Sequence, residues 1–269
     1  VAEVQGFEPN ELDTGSNTYN VDEDISKIST NALSSTTTDD SAEINLTTLN
    51  SAPPSGYVTI SVEKFTLGQG YAIEPIKVPF YEGEMVGQVV ARLLGSGNYN
   101  NGSADENIAY LGNIRDSEST VNIPQYIQTK IAKDGSSIIG KANSDWLGQF
   151  DYTNMSGWMY TVNHKMPDVG MNEYENIDGN VIRLQFTVYG SGLDLGFGFD
   201  DSETGEPAKT YIEPANKDAL TAKVAEINSA PNKGEILANV NVKSAYDAAY
   251  EQLINMESSQ ANVDLALAQ

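Results

Sequence analysis

Few side chains in this 269-residue sequence are equipped for chemistry, and their spacing limits what they can do. There is one histidine, His164, and no cysteine. An imidazole can act as a general base near neutral pH. However, no Gly-x-Ser-x-Gly elbow or other nucleophile motif accompanies His164, and one histidine cannot make a multi-histidine metal site. The lack of cysteine excludes disulfides, thiolate metal sites and thiol nucleophiles together. Two acidic runs, Asp22-Glu23-Asp24 and Asp200-Asp201 with Glu203, supply carboxylates that could mimic a glycosidase pair or hold calcium. Calcium takes about six to eight oxygens converging from a shaped loop. Neither run has that spacing, so both read as solvated acidic turns, and calcium is the one cofactor they admit. Gly68-Gln69-Gly70 lacks the third glycine and the following helix of a phosphate-binding loop, and reads as a turn.

Aromatic residues are the other candidates. Trp158 and Tyr160 flank Met159 in an alternating run, so they share one face of a strand. Together with Trp146 they form a possible ligand face, on which a planar molecule could stack. The competing reading is that they fill the core, as large aromatics usually do.

These residues must be held by elements the pattern predicts. Tyr57 to Glu63 alternates as a strand, and β-branched residues suggest a second from Ala72 to Pro79. Met85, Val86, Val89, Val90, Leu93 and Leu94 recur at helical spacing up to Gly95. Ile108–Ile114 and Ser119–Ile123 are expected to pair as short strands, and Pro124–Lys133 to form a helix. Two further strands, Trp158–Asn163 and Val181–Tyr189, follow, with His164 in the turn after the first. This order predicts an α+β fold: a sheet with a helix packed across one face and an insertion. Near the end, Leu220, Val224 and Ile227, then Ala245, Ala249, Leu253 and Met256, then Val263, Leu265, Ala266 and Leu267, mark a small C-terminal three-helix bundle, the last helix capped by Ser258-Ser259.

Composition sets the wider class. Asp and Glu total 38 against 15 Lys and Arg, a formal charge of −23. Such a field repels phosphate backbones, so nucleic acid is not an expected partner. No stretch approaches the roughly 20 apolar residues of a membrane helix. Residues 1–56 hold ten acidic residues and one basic residue, Lys27, among many Ser, Thr and Asn. They read as an N-terminal arm or linker. Within the arm, Ile44, Leu46 and Thr48 alternate with polar residues, which marks a possible assembly strand. Ala52-Pro53-Pro54-Ser55-Gly56 reads as a boundary. The expected organisation is an arm over 1–56, a globular body over 57–201, a linker over 202–215 and a helical module over 216–269. Val1 is not preceded by an initiator methionine, so either a signal peptide has been removed or the sequence starts downstream. A cysteine-free extracellular chain points to bacteria or archaea.

Val58-Thr59-Ile60-Ser61-Val62-Glu63-Lys64-Phe65-Thr66-Leu67-Gly68-Gln69-Gly70-Tyr71 and Val78-Pro79-Phe80-Tyr81-Glu82-Gly83, followed by Leu147-Gly148-Gln149-Phe150-Asp151-Tyr152 and Gly157-Trp158-Met159-Tyr160-Thr161-Val162-Asn163, resemble DUF4430. These are bacterial domains similar to the transcobalamin C-terminal domain. The resemblance spans roughly Tyr57 to Gly196 and implies a β-grasp fold of the soluble-ligand-binding kind, on secreted or wall-associated proteins of Gram-positive bacteria. The tail resembles the three-helix FIVAR-type surface module through Ala245-Tyr246, Ala248-Ala249-Tyr250, Leu253 and Ser259 to Ala268.

From these readings we expect a non-catalytic secreted cell-surface structural protein, a self-assembling fibre subunit joined through its arm. The alternative is an extracellular binding module for a small soluble, cobalamin-like ligand or a cell-wall glycan. The expected partners are other copies, other surface proteins, or that ligand.

Overall fold

Val58, Ile60 and Val62 alternate with Thr59, Ser61 and Glu63, a period that gives a strand two different faces. In the computed structural model of the protein they form β1, Gly56–Glu63. The structure describes residues 53–101, 107–200 and 203–269. Ile44, Leu46 and Thr48, Asp22-Glu23-Asp24 and Asp201 lie outside the described residues.

β1 pairs antiparallel with β2, Tyr71–Phe80. Helix α1, Val86–Leu94, follows; Gln88 reaches back to the Met85 N–H at 2.9 Å, and Gly95 stops the helix at φ +77°. Gly87 lies where α1 meets the next loop. A Cβ there would stand 2.3 Å from the Ile108 carbonyl oxygen, so only glycine permits the approach. After β3 (Tyr99–Asn100) and β4 (Asn113–Arg115) come α2 (Gln125–Lys133), β5 (Trp146–Gly148), β6 (Gly157–Val162) and β7 (Val181–Thr187).

The expected pairing of Ile108–Ile114 with Ser119–Ile123 does not occur. β4 instead lies between β3 and β5 in a small three-stranded sheet, where Ile114 faces Leu147. Ile114 finds its apolar cross-strand partner in Leu147, while Val121 and Ile123 of the expected second strand turn into the main core.

The main sheet has the order β2-β1-β7-β6, with β1 and β7 parallel at its centre, a β-grasp-like arrangement. One face carries Val58, Ile60, Val62, Ile182, Leu184 and Phe186, which pack with Val86, Val89, Val90 and Leu94 of α1 and with Ile127 of α2. Burying each such side chain is worth about 1.5–3 kcal/mol. On the opposite face Thr59, Ser61, Glu63, Arg183, Gln185 and Thr187 are also buried. A polar sheet face becomes buried only if something covers it, and here the C-terminal segment does.

The three expected helices are α3 (Asp218–Asn228), α5 (Val240–Ile254) and α6 (Gln260–Leu267). The loop expected between the first two contains one further turn, α4 (Lys233–Leu237). Asn239 caps α5 and Ser259 caps α6, each accepting from backbone N–H groups of the first turn. Leu220, Val224, Ala249, Leu253, Val263 and Ala266 make a small core of their own.

The two edges of the main sheet differ. On β2 the residues whose backbone points outward are 75, 77 and 79, since Val78 and Ile76 bond inward to Val58 and Ile60. Positions 75 and 79 are prolines without an N–H, and the Lys77 N–H donates to Ser229 Oγ at 2.8 Å. Asn228 Nδ2 donates to the Pro75 carbonyl at 2.9 Å. This edge is closed to further strands. On β6, Gly157, Met159 and Thr161 bond inward to β7, so Trp158, Tyr160 and Val162 point outward. Val162 is taken by Lys165. The outward N–H and C=O groups of Trp158 and Tyr160 have no backbone partner among the described residues.

Candidate functional site

Beside that open stretch of β6 lies a crevice of about 200 Å³, lined among others by Leu111, Trp158, Tyr160, Met166, Val169 and Met171. β6 supplies the aromatic wall and the segment after its hairpin supplies the methionines. The Met171 N–H donates to the Ala109 carbonyl at 2.9 Å and fixes the far wall. Trp158 is only 7% exposed. Its Nε1 donates to the Leu147 carbonyl at 3.1 Å, and its ring meets Phe186 edge-on with centroids 5.3 Å apart. It is therefore a core residue with one border in the crevice. The Tyr160 hydroxyl donates to the Val169 carbonyl at 2.6 Å, and burial pushes its pKa up, so it stays a neutral donor. None of the six named residues carries a charge at neutral pH. Such a site suits an apolar side chain or a flat ring, with methionine sulfur adapting to either.

The structure brings Trp158 and Tyr160 together as their alternation implies. Trp146 is elsewhere: it lies on β5, with the Arg115 guanidinium 5.0 Å from its ring centre, and does not line the crevice. Asn163 and His164 occupy a two-residue hairpin turn with φ of +49° and +62°, closed by reciprocal bonds between Val162 and Lys165. The His164 ring packs edge-on against Phe197 at 5.3 Å, and burial, followed by the Arg183 charge, lowers its pKa. Asp200 accepts from the Ala208 N–H at 3.3 Å.

Sequence reasoning missed a buried ionic group beneath α3. Glu63 and Arg183, on neighbouring central strands, form a bidentate pair with both contacts at 2.8 Å, and Ser61 Oγ donates to Glu63 at 2.7 Å. Arg183 also stands 3.8 Å from Asp218, the first residue of α3. Lys217 is 4% exposed and faces no carboxylate at salt-bridge distance; its Nζ donates to the carbonyls of Leu253 at 2.8 Å and Asn255 at 2.6 Å, at the end of α5. Burial lowers its pKa to about 7, Arg183 adding to the effect and Glu63 opposing it. Burial likewise raises Asp218. The one signal available in the sequence was Glu63 and Arg183 standing in phase with Ser61 and Gln185 on strands otherwise typical of a core. These charges join the helices to the sheet.

An α+β body with a sheet-edge crevice and covering helices is the class these features define. The family model of a domain of unknown function, DUF4430, matches residues 136–188. That stretch holds β5, β6 and β7, hence Trp158, Tyr160 and the methionine wall of the crevice. No curated protein matches the chain.

Proposed function

We propose that this protein is a non-catalytic, extracellular surface protein that assembles by strand addition. In this reading the segment carrying Ile44, Leu46 and Thr48 in one copy lies along β6 of another. The observation that carries it is the asymmetry of the sheet: β2 is closed by Pro75, Pro79 and Ser229, whereas Trp158 and Tyr160 present unpaired backbone groups beside an apolar crevice. Strand addition supplies backbone hydrogen bonds whatever the side chains, and pockets for alternate residues give register. Ile44 and Leu46 have the spacing and apolar character to enter such a crevice. The helices α3 to α6 are read as a FIVAR-like surface module, and the body as related to transcobalamin C-terminal-like domains of Gram-positive surface proteins. Light scattering of the native chain and of a form lacking residues 1–50 tests this. Assemblies that vanish on truncation support it, and unchanged size overturns it.

A second reading is a binding module for a small planar ligand, supported by Trp158 and Tyr160 bordering one apolar crevice with Met166 and Met171. It predicts tryptophan fluorescence changes on adding cobalamins or wall sugars. A flat response across both would count against it.

A further inference from the structure

A second buried polar cluster, none of whose members lines the crevice, begins at the residue after Glu63. Lys64 follows β1 directly, and its side chain is 5% exposed. Its Nζ donates to Glu118 Oε2 at 2.8 Å. Asp116 Oδ2 stands at the same 2.8 Å from that nitrogen but is not in hydrogen-bonding geometry with it, nor with any other donor among the described residues. Asp116 is itself 7% exposed, and Glu118 is 46% exposed. Lys141, also 5% exposed, has its Nζ 4.0 Å from Asp116 Oδ1, and donates to the backbone carbonyls of Asp116 and Glu118. Tyr152, buried with φ +68°, borders these groups; burial first, and then the Asp116 charge, push its hydroxyl up.

An amine held 2.8 Å from a carboxylate oxygen, with both side chains shielded from water, is placed where the two groups can react. We propose that Lys64 and Asp116 condense into an intramolecular amide, and that this cluster is a self-modification site. Glu118 takes a proton from the Lys64 ammonium, and the free amine attacks Asp116 Cγ, forming the N–C bond. Lys141, beside Oδ1, faces the negative charge of the tetrahedral intermediate. The C–O bond then breaks, and the oxygen leaves as water with the protons released by the amine, Glu118 acting as the acid. One ammonium and one carboxylate become one amide and one water; nothing is oxidised or reduced, and net charge is conserved. The bond ties the end of β1 in the main sheet to the residue after β4 in the small sheet. In a chain without cysteine it does the work of a disulfide. It is a single-turnover step that needs no ligand, and it does not depend on the function proposed above.

The test is the intact mass of the purified full chain under denaturing conditions, followed by protease mapping. The expected result is a mass lower than the sequence mass by one water molecule, and a branched peptide joining the segments that contain Lys64 and Asp116. Lys64→Arg and Glu118→Gln should both return to their sequence masses; Glu118 is half exposed, so the second change leaves the packing intact. A native chain at its full sequence mass overturns the proposal and leaves an ion pair. A loss of water that persists in Lys64→Arg also overturns it, since it would then come from cyclisation at Asp134-Gly135 or Asp178-Gly179. A Glu118→Gln chain that still loses water overturns the role given to Glu118.

Discussion

Replacing Lys217 by methionine tests how the helices are held on the sheet. The side chain is 4% exposed, and burial lowers its pKa from 10.5 to about 7. A neutral amine keeps two N–H donors, which matches the two carbonyls, Leu253 and Asn255, that it serves. The sign follows from proton counting. Between pH 7 and 10.5 the unfolded chain holds a proton on this amine that the folded chain has released, so stability rises with pH across that window. Each pKa unit corresponds to about 1.4 kcal/mol, so moving from pH 7 to 9 should add about 2 kcal/mol of stability through Lys217 alone. Lys217→Met removes that gain at every pH. It also leaves the two carbonyls without their donor, a loss of about 1–3 kcal/mol that does not vary with pH. Urea unfolding of both proteins at pH 7 and pH 9 isolates the effect, because other groups cancel in the difference. The stability of the native chain relative to the variant should rise by about 2 kcal/mol from pH 7 to pH 9. Parallel pH dependence would refute the reading of a buried, deprotonated lysine.

Other perturbations give distinct outcomes. Glu63→Gln should destabilise by about 3–5 kcal/mol, because it leaves the Arg183 guanidinium buried without its bidentate partner, whereas the double change Glu63→Leu with Arg183→Met should cost far less than the two single changes summed; chemical denaturation reads both. Leu253→Ala should cost about 2–5 kcal/mol by opening a cavity in the small helical core, and calorimetry should show it as a lower melting temperature. His164→Gly should be neutral or stabilising by up to about 1 kcal/mol, since His164 holds φ +62° in the hairpin turn without a polar partner for its Nδ1; a large loss would reveal a role the geometry does not show. Asp194 is fully buried and burial raises its pKa to about 6, so its contribution is fully present below pH 3.8 and is lost as pH rises through 6; titrating that carboxyl by NMR checks it.

Period-two alternation in Tyr57–Glu63 and Val181–Thr187, and helical spacing from Val86 to Leu94, made the main elements legible, because each buries one apolar face in a shared core. The turn at Asn163-His164 was legible for the same local reason. The small sheet was not, since β3, β4 and β5 span only two or three residues each and depend on partners distant in the chain. Burial of Glu63 and Arg183 was equally hidden: a polar strand face reads as solvent-facing until a segment more than thirty residues further on covers it. Of the aromatic candidates, alternation placed Trp158 with Tyr160 correctly, but no local pattern could show that Trp146 belongs to another sheet.

Amide hydrogen exchange at Trp158 and Tyr160 most directly tests the account of β6 as an acceptor strand. A synthetic peptide spanning residues 43–49 is added to the chain lacking residues 1–50. The account predicts slowed exchange at these two amides and little change along β2. Unchanged exchange at Trp158 and Tyr160 with saturating peptide would contradict it.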